Sequence, residues 1–165
     1  MTKEWTDREV QLDRMQYVKN TASSRLCYLA ILLDVLYFIS IYKSDVGSWY
    51  YQILTGASVV YNLLFMLAVF LASEGVKSYK SGYSWLMIAL GALQIVRIFI
   101  LPAAAHGAVV KVSGAETSVM GDGQFLRIVL YLALSAACLL LGALINLRKN
   151  RTLSAYMASL QGRQA

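Results

Sequence analysis

Apolar and polar positions along this chain sort into four long apolar runs separated by short polar stretches. The runs are roughly 26–42, 53–73, 84–101 and 125–147. Each reaches the roughly 17–25 residues that a helix needs to cross a bilayer. The pattern predicts an all-α membrane protein, a four-transmembrane-helix bundle forming one domain over 1–165. Residues 1–23 and 148–165 read as short amphipathic cytoplasmic termini. The spacing of Trp5, Leu12, Met15 and Val18 fits a helix on the membrane surface or a loosely ordered tail. Leu153, Tyr156, Met157 and Leu160 recur at helical spacing after the fourth run. That last helix either continues the fourth span or lies on the inner leaflet.

The connections differ in length. The loop 43–52 carries Trp49, Tyr50 and Tyr51, side chains that favour the headgroup level. The turn 74–82 is short. The stretch 103–124 is the one long connection. Its alternating Val110-Lys111-Val112, the Ser113-Gly114 break and Thr117–Met120 permit a short hairpin. Ser23 and Ser24 are candidate caps for the first span. The single proline, Pro102, stands where the third run ends, and a helix terminus tolerates it there.

Inside the runs, the residues unlike lipid fall on helical faces, since positions three and four apart are neighbours on a helix. The first run carries Cys27, Ala30, Asp34 and Tyr37. The second carries Thr55, Ser58 and Asn62, and the third Gly91, Gln94 and Arg97. The fourth carries Arg127, Tyr131, Ser135, Cys138, Gly142 and Asn146. Hydrocarbon cannot satisfy hydrogen bonds, so these faces are expected to turn inward or toward a partner. At 1.5 Å per residue, Asp34 lies about 13 Å from the inner end of its span, near the depth of Asn62 and Gln94. Arg97 lies about 5 Å further out, with its side chain directed back toward the midplane.

Asp34, Asn62, Gln94 and Arg97 therefore form an expected intramembrane polar cluster. Ionisable groups in hydrocarbon are costly and seldom idle. Three arrangements fit the depths. An Asp34–Arg97 pair locks helix register; the same groups line a polar cavity for a solute, ion or proton; or Arg97 snorkels outward and leaves Asp34 alone and protonated. The stripe of Ser135, Cys138 and Gly142 permits close helix approach, as association interfaces in membranes require. It predicts a homo-oligomer or another membrane protein as partner, beside the lipid bilayer itself.

Composition adds orientation. Hydrophobic residues make up 58% of the chain and charged ones only 15%, where soluble domains carry about 25%. The net charge of +6 does not point to nucleic acid, because the basic residues flank the runs and form no stripe. They gather before the first run, in 74–82 and after the fourth, which predicts both termini in the cytoplasm and a plasma (cytoplasmic) membrane location. The first 23 residues mix both charge signs and lack an apolar centre, so the first run is expected to be a retained span without a cleaved leader. No lipidation motif stands out at either end.

The remaining chemistry is sparse. Cys27 and Cys138 both fall in spans, with no CxxC, so a thiol oxidoreductase is excluded and no disulfide is expected. The single histidine, His106, builds neither a haem nor a zinc site. Glu116 and Asp122 are wrongly spaced for a calcium loop. No nucleophile elbow, phosphate loop or HExxH motif is present. The sequence thus predicts no cofactor and no enzyme. Its leading reading is a non-catalytic subunit or scaffold that packs against itself or another membrane protein. The alternative is a small channel or transporter subunit with its site around Asp34 and Arg97.

Overall fold

The computed structural model describes residues 7–15, 17–42, 49–112 and 115–161. Six helices and one small hairpin follow in order: α1 (Asp7–Met15), α2 (Thr21–Ile41), α3 (Trp49–Lys77), α4 (Ser81–Ile98), α5 (Leu101–His106), β1 (Val109–Val112), β2 (Ala115–Ser118) and α6 (Asp122–Gln161). Four helical stretches are long and apolar enough to cross a membrane: Thr21–Ile41, Gln52–Lys77, Ser81–His106 and Asp122–Gln161. They correspond one for one to the four apolar runs.

Their ends differ from the runs for physical reasons. Helix α2 starts at Thr21, five residues before the first apolar stretch. Ser23 and Ser24 do not cap it; they are buried inside its first turn, Ser23 accepting from the N-cap residue Asn20 and Ser24 bonded to Ser73 on α3. Helix α6 runs unbroken for 40 residues, about 60 Å, so residues 148–161 extend the fourth span and form no separate helix. The basic cluster Arg148–Arg151 does not interrupt it, since Arg and Lys are good helix formers. Pro102 lies in the first turn of α5, where its missing N–H costs nothing. Helix α1 sits beside the end of α6, with Leu12 and Glu9 near Tyr156. Trp5, residues 43–48, Ser113, Gly114 and the side chains of Trp49, Tyr50 and Tyr51 lie outside the described residues. The hairpin that the sequence permits is present, antiparallel, with Val109 opposite Ser118 and Val112 opposite Ala115.

The long helices pack around a common interior. Helix α2 lies against α6 and α3, and α4 lies against α6, while α3 and α4 touch least of the neighbouring long helices. Helices α2 and α4 thus face each other diagonally, bridged by long side chains. The α3–α4 turn closes tightly. Tyr79 adopts φ 57°, and the N–H groups of Tyr79 and Lys80 donate to the carbonyls of Val76 and Gly75. This is a Schellman closure with tyrosine in the left-handed position usually held by glycine. A β-carbon at Gly75 would overlap the Tyr83 ring, so glycine is what lets α4 come this close.

Two apolar layers fill the interior. One, on the side of the α3–α4 turn, is built on Phe65, Val69, Met87, Leu139 and Ala143. The other, toward the hairpin, is built on Tyr37, Ile41, Leu101, Met120, Ile128 and Leu132. Asp34, Gln94 and Ser135 fall between them along their helices, all fully buried.

Candidate functional site

Depth along each helix decides which polar side chains meet. Asp34 on α2 and Gln94 and Arg97 on α4 converge across the interior. Arg97 Nη1 lies 3.1 Å from Asp34 Oδ1, and Gln94 Nε2 donates to the same oxygen at 2.9 Å. Arg97 Nη2 donates to Ser58 Oγ on α3 at 3.0 Å. The guanidinium carbon stands 4.2 Å from the Tyr37 ring centre and 4.7 Å from that of Tyr61. Asp34 has no exposed surface and Arg97 only 6%. An ion pair this buried offsets its desolvation only through good geometry and further hydrogen bonds. Gln94 and Ser58 supply the hydrogen bonds here, and the two tyrosine rings add cation–π contact.

Of the four residues expected together, Asp34, Gln94 and Arg97 form one contact network. Asn62 is buried on the same face of α3, one turn from Ser58, but its amide has no hydrogen-bond partner among the described residues. Ser58 takes the place expected for Asn62. The reason is the antiparallel run of α3 and α4. Arg97 lies one turn nearer the hairpin than Gln94, so it meets α3 one turn nearer the hairpin than Asn62. Tyr37 and Tyr61 were not anticipated at the cluster, although Tyr37 lies on the same face of its helix as Asp34.

The stripe on α6 is spent within the chain. Ser135 donates to the Ala30 carbonyl at 3.1 Å. A β-carbon at Gly142 would come within 2.7 Å of Met87 Cε and 3.5 Å of Leu26 Cβ. Gly142 thus sits where α6 packs on α2 and α4. Cys138 is half-buried, and both cysteines are free thiols.

A second polar layer closes the turn end, and sequence reasoning missed it. Asn20 Nδ2 donates to Asn146 Oδ1 at 2.9 Å and to Ser23 Oγ at 2.9 Å. Asn146 Nδ2 donates to Ser84 Oγ at 2.7 Å and to the Lys80 carbonyl at 3.2 Å. Lys149 Nζ donates to Asn20 Oδ1 at 3.1 Å, and Ser24 and Ser73 share a 2.7 Å hydrogen bond. The available signal was common depth: Ser24, Ser73, Ser84 and Asn146 each lie near the same end of their own span.

The two layers differ in how fully they are satisfied. In the turn-end layer every buried side chain just named has a partner. In the central layer, Asp34 Oδ2, Gln94 Oε1, the Tyr37 and Tyr61 hydroxyls and both polar atoms of Asn62 have no hydrogen-bond partner among the described residues. Beside this layer, α3 and α4 separate and leave a pocket of about 190 Å³. Leu54, Ala57, Ser58 and Tyr61 line it from α3, and Leu93, Val96 and Arg97 from α4.

No protein family, no curated protein sequence and no solved structure matches this chain.

Proposed function

We propose that the chain is a small channel or transporter subunit, a four-transmembrane-helix bundle whose central polar layer around Asp34 and Arg97 receives the polar part of a substrate. One observation carries this reading. Native proteins pair nearly all buried polar groups, and exceptions call for water, an ion or a ligand. Among the described residues, the side chains named in the turn-end layer all have partners, while six polar atoms in the central one have none. Each unpaired group costs about 1–3 kcal/mol, so a purely structural layer would be expected to lose them. The work is binding or passage without covalent chemistry. Lys19, Arg25, Lys77, Lys80, Arg148, Lys149 and Arg151 gather around the turn end. The reading puts that end and both termini in the cytoplasm, with the chain in the plasma (cytoplasmic) membrane.

The test is water access at the centre. Asn62→Cys is made in a chain whose two native cysteines are replaced by alanine. Silver ion, which is small and water-borne, is then added to membrane vesicles. The reading expects the new thiol to be consumed. A thiol at residue 62 that stays free while one at exposed Ser154 reacts would overturn it.

A second reading, a non-catalytic scaffold, is favoured by the closure of the pair itself. Asp34 and Arg97 neutralise each other inside the chain, as a register lock would. On that reading, the surface of α3, the least covered of the four helices, meets another membrane protein or a second copy. A dry centre in the silver experiment would favour this reading.

A further inference from the structure

The pocket between α3 and α4 narrows the kind of substrate, on the premise that the central layer binds one. It opens sideways, not along the helix axes. Its rim residues Ala57, Val96 and Ile100 are exposed on the outer surface of the helices, which in a membrane faces lipid. Its walls are aliphatic. Its polar floor consists of Arg97, which is more than nine-tenths buried, with Ser58 and Tyr61; the Tyr61 hydroxyl is a buried atom with no partner among the described residues. The floor is electrically neutral, because Asp34 already balances Arg97. A carboxylate arriving here would set two anions against one guanidinium, and an ammonium would meet Arg97; both are costly in a medium of low dielectric. What the floor offers is hydrogen-bond donation to a neutral acceptor.

We infer that the α3–α4 pocket takes a neutral, membrane-soluble molecule that enters from the lipid and presents a carbonyl oxygen to Arg97 and Tyr61. Its apolar body fills the gap between Leu54 and Ile100. Two lipid-phase sources carry this chemistry, the ester carbonyl of a glycerolipid and the ring carbonyl of a quinone.

The experiment uses the full chain in a maltoside detergent, which contains no carbonyl. Thermal unfolding is followed while a short-chain ubiquinone, dioctanoylglycerol, decane or decanoate is titrated in. The wild type is expected to show saturable stabilisation by a carbonyl probe and none by decane or decanoate. Response to the quinone alone or to the glyceride alone identifies the source. Ala57→Leu and, from the other wall, Val96→Trp place larger apolar groups at exposed positions that tolerate them. Both should abolish the response while keeping the probe-free unfolding midpoint. Tyr61→Phe, which removes one hydroxyl, should weaken the response about tenfold. No saturable response to either carbonyl probe would overturn the inference, as would equal responses in Ala57→Leu and Val96→Trp. A thiol at residue 62 that silver consumes, combined with that null result, would remove the lipid-phase ligand and leave the hydrated centre standing.

Discussion

Asp34 and Arg97 meet from opposite sides of the interior, and the contact uses only one carboxylate oxygen. Oδ1 accepts from both Arg97 Nη1 and Gln94 Nε2, while Oδ2 accepts from nothing among the described residues. The guanidinium is held on four sides, by Asp34, Ser58 and the rings of Tyr37 and Tyr61. The arginine is therefore well fixed and the aspartate half-spent. That asymmetry leaves Oδ2 as an acceptor with capacity to spare, while the guanidinium, with N–H groups committed to Asp34 and Ser58, keeps further donors beside the pocket.

The pair predicts a coupled loss of stability. Asp34→Asn and Arg97→Gln each leave a buried charge without its counter-ion, and each should cost about 3–5 kcal/mol. The double variant should recover part of this, with a coupling energy of about 1 kcal/mol or more. Unfolding of all four proteins in one detergent measures the cycle. Strictly additive losses would show that the two groups do not act as a pair.

Both groups were legible in the sequence because depth is arithmetic. A rise of 1.5 Å per residue and the backward tilt of helical side chains bring residues 34 and 97 together without knowledge of helix order. The third partner was harder. Choosing Ser58 over Asn62 requires the relative height of α3 and α4, which the turn at Gly75 and Tyr83 sets. No hydropathy pattern encodes that height. The four spans were legible for a similar reason, since length and apolarity suffice. Their ends were not. Thr21 to Ser24 belong to α2 because Asn20, Ser73 and Asn146 hold its first turn through tertiary hydrogen bonds. The polar character of those residues locally argues for a loop.

The turn itself gives a second prediction. Gly75→Ala must displace the Tyr83 ring and should destabilise the protein by about 1–3 kcal/mol, the usual cost of overpacking. Gly82 is a helical glycine with open space around its missing β-carbon. Gly82→Ala should be neutral or stabilising by up to about 1 kcal/mol. Thermal unfolding of the two variants side by side checks the pair of signs. An undisturbed Gly75→Ala would mean that α3 and α4 do not approach here as described.

Orientation predicts a labelling pattern. Gly121 is exposed at the hairpin end and Ser154 on the extension of α6, on opposite sides of the long helices. In chains without native cysteines, Gly121→Cys should react in intact cells with a reagent that cannot cross the membrane. Ser154→Cys should react only after lysis, because the proposed topology puts the basic end in the cytoplasm. The reversed pattern would invert the proposed topology.

The contrast between the two polar layers yields the sharpest expectation. Asn146 bonds to Asn20, Ser84 and the Lys80 carbonyl, so Asn146→Leu strands two buried groups, the Asn20 amide and the Ser84 hydroxyl, and frees a part-buried carbonyl as well. Losses of about 1–3 kcal/mol for each stranded group make this variant severely destabilised. Asn62 is equally buried and has no hydrogen-bond partner among the described residues. Asn62→Leu removes the cost of burying an amide and adds apolar volume of similar size, so it should be neutral or stabilising by about 1–2 kcal/mol. A site that keeps such a residue keeps it at the expense of stability, as functional sites commonly do. Asn62→Leu should therefore unfold at or above the wild-type temperature and yet lose water access, with silver no longer reaching a thiol placed at Gln94. Strong destabilisation by Asn62→Leu would mean that its amide is structurally bonded after all, and the central layer would then be a lock like the one at the turn end.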